Sequence, residues 1–239
     1  MAMNRIEFIR NEEKKYHDFC YTHYSLFEEG SWLAKPVKTV MDLMEIFDGK
    51  HHIQVLDLGC GVGRNSIPTA EKLKDRHGKV VCVDFLESAL EKLNVYSSNY
   101  GVHHIIHPEK ADIGDYCIPK EQYDFVLAVS SLEHVESEEV FEQVLHRIAS
   151  GTKLNGVTCL IINSEVQEID RVSGEPLDAL MEINLPTDYL IAKLHHVFQN
   201  WEVISELIKP LEYEITRNKK SILLKTNAIT FVARKGNET

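Results

Sequence analysis

The chain of 239 residues has no uninterrupted apolar run of membrane-spanning length, which argues against a transmembrane helix. Its opening residues, Met1 to Lys15, are polar and charged rather than the apolar core of a secretory signal, so a cytoplasmic location is expected. Cysteine is sparse and unpaired in pattern. The five cysteines (Cys20, Cys60, Cys82, Cys117, Cys159) are odd in number and include no C-x-x-C, which points to reduced thiols and away from a zinc site. Positive charge is also in deficit: 26 Lys and Arg stand against 37 Asp and Glu, a net charge of -11. Such a field repels phosphate, so no nucleic-acid partner is expected. The one basic run, Lys209 to Lys225, reads as a solvated hairpin. There is no internal repeat, low-complexity tract or linker, and the length suits one domain over 1–239.

What is present is alternation. Strands are expected at about 53–58, 79–84, 102–107, 124–130 and 157–163, with helices at about 64–75, 87–100 and 137–149 between them. Strand–helix alternation of this kind implies a doubly wound, mostly parallel α/β sheet with helices on both faces. A helix over about 34–47 should precede the first strand, with Pro36 in its first turn. Residues 1–33 carry Tyr16, Phe19, Tyr21, Tyr24, Phe27 and Trp32; one or two short helices lying over the domain as a lid are expected, with Tyr16, Tyr24 and Trp32 as lid candidates. Residues 164–186 are too long for a routine connection, so a short helix of their own is expected. A helix from Thr187 to about Gln199 and strands at 201–208 and 228–234 finish the chain, with a turn at Asn218-Lys219-Lys220.

The stretch Val55-Leu56-Asp57-Leu58-Gly59-Cys60-Gly61-Val62-Gly63-Arg64-Asn65-Ser66 organises the rest. A buried strand runs into a glycine turn and then a helix start, where close backbone approach and free N–H groups favour a ligand. The third glycine comes one residue earlier than in the G-x-G-x-x-G of nicotinamide-dinucleotide sites, which disfavours an oxidoreductase. In such sheets ligands bind beyond the carboxyl ends of the strands. Asp84 ends the second strand at the distance expected of an acid that grips ribose hydroxyls, and Phe85 beside it can cover an adenine face. Asp112 can accept from an adenine amino group while Ile113 packs on the ring.

The D-x-G-x-G-x-G run resembles the first motif of class I S-adenosylmethionine (SAM)-dependent methyltransferases. The segment Tyr123 to Val135, with Leu132-Glu133-His134 after the fourth strand, resembles that family's next conserved region. The resemblance implies that Asp57, Gly59, Cys60, Gly61, Gly63 and Arg64 surround the methionine end. It places Asp84 and Phe85 at the ribose and adenine, Asp112 and Ile113 at the adenine, and Ser130 and Ser131 at the end of strand four. Gly63-Arg64-Asn65-Ser66 and the ending from Trp201-Glu202-Val203 to Thr230-Phe231-Val232-Ala233-Arg234-Lys235 resemble the tellurite-resistance (TehB-like) methyltransferases. That closer resemblance implies a Rossmann-like, seven-stranded sheet with its last strand antiparallel, and methylation of a small nucleophile such as a metalloid oxyanion or a thiol. The longer N-terminal region and the insertion at 164–186 depart from the pattern and are expected to border the substrate pocket.

A methyl group on a sulfonium is already activated, so in-line placement should dominate the chemistry. His134 is the candidate general base, since histidine titrates near neutral pH. Arg64 either reaches the cofactor's carboxylate or pairs with surface acids. His195 and His196 are adjacent on one helix and cannot both face one ion, so no metal is expected. The alternatives to a small-molecule methyltransferase are a SAM-binding module without turnover and a protein or RNA methyltransferase. The oligomeric state is open.

Overall fold

The computed structural model describes residues 4–217 and 220–236. An eight-stranded sheet forms the centre, built from β1 (Gln54–Leu58), β2 (Lys79–Asp84), β3 (Ile106–Lys110), β4 (Tyr123–Val129), β5 (Thr152–Asp170), β6 (Pro176–Leu177), β7 (Trp201–Arg217) and β8 (Lys220–Lys235). Its order is β3-β2-β1-β4-β5-β8-β7, with the two-residue β6 attached to β5. Strands β1 to β5 run parallel, and β8 runs antiparallel to both β5 and β7. The seven-strand path with its last strand antiparallel is the arrangement the sequence resemblance implied. Strand order reverses between β1 and β4, which opens a crevice beyond their carboxyl ends.

The parallel strands are covered on both faces, as their near-continuous Val, Leu, Ile and Phe require. On one face α2 (Lys38–Leu43), α3 (Ser66–Leu73) and α4 (Glu87–Asn99) bury Val40, Ile67, Ala70, Leu90 and Leu93 against Val55, Val80 and Phe125. On the other, α5 (Glu138–Gly151) and α6 (Thr187–Val197) bury Phe141, Leu145, Ile148, Leu190 and Leu194 against Leu56, Val126 and Leu160. The N-terminal α1 (Arg5–His23) is one helix of 19 residues, where one or two short helices were expected. Asn4 and Glu7 form a reciprocal capping box at its start, and Ile9, Cys20 and Tyr21 anchor it with buried side chains.

Several boundaries differ from the sequence expectation. The third strand is not 102–107 but Ile106–Lys110, because Ile105 and Ile106 both bond back to Val102 in a turn. Pro108 is accommodated there because β3 is an edge strand. The helix expected over 34–47 is α2 followed by a 3-10 turn at Met44–Phe47, and Pro36 lies before its N-cap, Val37, rather than in its first turn. Residues 164–186 form no helix. Instead β5 continues through a bulge between Ser164 and Gln167 to Asp170, and side chains satisfy the backbone beyond it: Glu168 accepts from Leu180 N–H, and Asn184 bonds Val166 in both directions. The last two strands are each about twice as long as expected and make a long hairpin. Of its expected turn, Asn218 and Lys219 lie outside the described residues.

Candidate cofactor and acceptor site

The glycine turn follows β1 with Gly59, Gly61 and Gly63 all at positive φ, a region that side chains disfavour. Gly59 and Cys60 donate their N–H groups to Val83 O at 2.8 and 3.0 Å, which ties the turn to the end of β2. A Cβ on Gly59 would sit 2.3 Å from Ser131 Cβ, and one on Gly63 would sit 2.5 Å from Leu93 Cδ1. Gly59 therefore lets the turn meet the end of β4, and Gly63 lets α3 pack on α4. Above Gly61 lies the hydroxyl of Tyr21 from α1.

A cavity of about 910 Å³ opens over this turn. Of the residues expected at a cofactor, Gly59, Cys60, Gly61, Arg64, Asp84, Phe85, Asp112, Ile113, Ser130, Ser131 and His134 all line it. Asp84 accepts from Gly61 N–H at 2.8 Å and from Leu86 N–H at 2.8 Å. Burial pushes its carboxyl up, against the opposing pull of those N–H groups. Asp112 accepts from Gly114 N–H at 2.8 Å and pairs with Arg10 of α1 at 2.9 Å. The same Arg10 guanidinium lies 5.5 Å from the centre of the Phe85 ring. Ser130 holds a positive φ of 49° at the carboxyl end of β4, a strained geometry of the kind found at functional sites. Ser131 donates to Leu58 O at 2.7 Å.

Asp57 and Gly63 stand behind this wall. Asp57 is fully buried and accepts from Ser66 Oγ at 2.5 Å; burial pushes its carboxyl up to about 7, with Ser66 pulling the other way. Arg64 bonds the carbonyl of Trp32 at 2.7 Å and lies over its ring. His134 Nδ1 is 2.9 Å from Glu182 Oε2. Burial alone would lower its pKa, but the Glu182 hydrogen bond and the charges of Glu13 and Glu133 raise it to about 9. At neutral pH His134 is thus an imidazolium with no lone pair to act as a base. His17 shows the opposite: burial lowers its pKa, and its Nδ1 accepts no hydrogen bond among the described residues. His195, outside the cavity, pairs with Glu206 at 2.6 Å.

The cavity continues away from the glycine turn into a chamber between α1, the 164–186 segment and the β7–β8 hairpin. Tyr16, Val166, Leu180, Met181, Leu211 and Tyr213 contribute to its walls. Arg217 crosses it to bind Glu168 at 2.6 Å and Glu13 at 3.4 Å. Sequence reasoning missed Arg10, Tyr21, Glu133, Glu182 and Tyr213. Asn163, at the end of the core part of β5, was open to the strand-end rule that found Asp84.

Comparison with known proteins agrees with this geometry. Residues 55–156 match the family described as a methyltransferase domain. Over 173 residues the chain is 24% identical to the carboxy-S-adenosyl-L-methionine synthase of Vibrio vulnificus, covering 72% of this chain and 60% of that protein. It is 26% identical over 109 residues to the tRNA N(3)-cytidine methyltransferase METTL2 of Danio rerio, covering 45% and 31%. Its fold resembles that of TehB from Haemophilus influenzae (TM-score 0.61, 21% identity, 83% of this chain and 62% of that one). It also resembles phosphoethanolamine N-methyltransferase 2 of Haemonchus contortus, solved with phosphomonomethylethanolamine and S-adenosylhomocysteine (TM-score 0.66, 12% identity, 99% and 61%). The chain thus spans about 60% of the length of the first of these relatives. With the glycine motif, the strand order and the family match in agreement, the protein carries a class I S-adenosylmethionine-dependent methyltransferase domain.

Proposed function

We propose that the whole chain acts as one methyltransferase unit, transferring a methyl group from SAM to a small-molecule nucleophile held in the chamber beside the glycine turn. The observation that carries this reading is the single cavity, which joins the cofactor-type residues Gly61, Asp84 and Asp112 to a walled space under α1. Its volume lies near the top of the range for small-molecule sites, about 300–1,000 Å³, and gives room for two ligands side by side. The net charge of -11 also favours a small acceptor over RNA.

When bound, SAM supplies a methyl group already activated on a sulfonium, so the chain's task is placement and exclusion of water. Asp84 accepts from the ribose hydroxyls. Asp112 and Ile113 hold the adenine, with Phe85 at its edge. The backbone of Gly59, Cys60 and Gly61 faces the methionine end, and Arg64 turns from the Trp32 carbonyl to its carboxylate. Asp57 is a positioning residue that fixes the turn through Ser66. Ser130 and Ser131 shape the floor where the methyl group lies. The acceptor's lone pair forms the new bond to carbon as the carbon–sulfur bond breaks, its electron pair remaining on sulfur. A proton carried by the acceptor goes to water or to His17, whose imidazole is neutral, while His134 stays protonated against Glu182. This replaces His134 as the base.

The test is turnover of methyl-labelled SAM with a panel of small amines, thiols and oxyanions. Formation of S-adenosylhomocysteine together with a labelled acceptor is the expected result. Binding of SAM with no turnover for any acceptor would favour a cofactor-binding module instead.

A further inference from the structure

We propose that the acceptor is an amine with an apolar body, and that Glu133 receives its cationic nitrogen. The proposal rests on the methyltransferase reading of the cavity and names the substrate class of that site. Glu133 lies in the 3-10 turn Leu132–His134 after β4 and is 1% exposed. Its Oε1 accepts from Asn163 N–H at 3.1 Å and from Asn163 Nδ2 at 2.6 Å. Its Oε2 is buried and accepts no hydrogen bond among the described residues. A buried carboxylate oxygen left unmatched is costly, and such groups in folded proteins call for an explanation.

A ligand is the explanation that the surroundings support. Three neighbours of this carboxylate line the cavity: Asn163 bonds it, His134 follows it in sequence, and Tyr213 on β7 feels its charge. The charges around the chamber are unbalanced in the same sense. Glu13, Asp112, Glu133, Glu168 and Glu182 face Arg10, Arg217 and protonated His134, and each of those cations is already engaged. Arg10 holds Asp112 and approaches Glu182, Arg217 holds Glu168 and Glu13, and His134 holds Glu182. An anionic acceptor would meet occupied cations and a bare carboxylate. An ammonium or amine N–H supplies the missing donor and charge. The metalloid oxyanion implied by the TehB-like resemblance is therefore the wrong sign for this chamber. Tyr16, Trp32, Leu180, Met181 and Tyr213 provide aromatic and aliphatic walls for the rest of the molecule, and aromatic faces favour a cation.

The experiment is calorimetric titration of the full chain preloaded with S-adenosylhomocysteine, using probes matched in body. The pairs are 2-phenylethylamine against 3-phenylpropanoate, and hexylamine against hexanoate. The expected result is amine binding at least tenfold tighter than the matched carboxylate. Glu133→Gln, which keeps an oxygen for Asn163, should lose at least tenfold in amine affinity with its S-adenosylhomocysteine affinity unchanged. Equal or tighter carboxylate binding, no amine binding in the loaded protein, or unchanged amine affinity in Glu133→Gln would each overturn the proposal. Should that variant fail to fold, the charge preference of the wild type still decides. Failure of S-adenosylhomocysteine itself to bind would overturn the methyltransferase reading and this proposal with it. Normal loading without amine preference would overturn the acceptor class alone.

Discussion

His134 and His17 share one cavity yet are driven in opposite directions. The Glu182 hydrogen bond and nearby acids overcome burial at His134, whereas burial prevails at His17. Because the His134 pKa of about 9 exceeds the unfolded value of 6.5, protonation stabilises the folded state. That contribution is complete below about pH 6.5 and is lost as pH rises through about 9. The urea midpoint of the wild type should therefore fall between those pH values, and His134→Gln should remove that part of the slope. Equal slopes in the two proteins would show that His134 is not held as a cation. The residues read correctly from sequence as facing the crevice, Asp84 and Asp112 among them, share one property: they follow strands whose ends could be located. Arg10 and Tyr21 reach the site from a helix remote in sequence, and no local pattern announces that. Glu133 was in view within Leu132-Glu133-His134, but its unmatched oxygen depends on what Asn163 leaves free, which is a tertiary fact.

At the level of elements, the glycine turn shows how backbone and packing agree. Gly63 combines a φ of 94° with two close side chains, Leu93 and Ile67. Gly63→Ala should cost about 1–3 kcal/mol from overpacking, with further strain from the dihedral, measured as a lowered denaturation midpoint; an unchanged midpoint would mean that α3 shifts freely against α4. The lid helix α1 is held by buried Ile9 and Tyr21 and by Arg10, which reaches Asp112 and Phe85. Arg10→Ala should speed amide hydrogen exchange across α1 in the free protein, and no change would leave apolar packing as the whole anchor. The buried strands and amphipathic helices were legible because their apolar periods are strong. The long β5 and the β7–β8 hairpin were not. Their outer halves carry Pro210 and many charged residues, and only Leu211, Tyr213 and Ile215 keep the alternation that turns one face toward the chamber.

Across the whole molecule, sheet order decides where chemistry can occur. The reversal between β1 and β4 creates the crevice, the glycine turn floors it, and α1 with the extended β5, β7 and β8 roofs an adjoining chamber. The parallel core follows from strand–helix alternation, and was expected on that ground. The roof depends on pairing between residues as distant as Glu168 and Leu224, which no local pattern encodes. No helix among the described residues is long and apolar enough to cross a membrane.

The central claim is that this crevice binds SAM through the ends of β1 and β2. The most direct measurement is calorimetric binding of SAM and S-adenosylhomocysteine to the wild type and to Asp84→Ala, with folding of both checked by circular dichroism. Loss of a charged hydrogen-bond acceptor is worth about 1.5–3 kcal/mol, so the variant should bind roughly 10- to 150-fold more weakly. No binding by the folded wild type, or equal binding by the two proteins, would contradict the account.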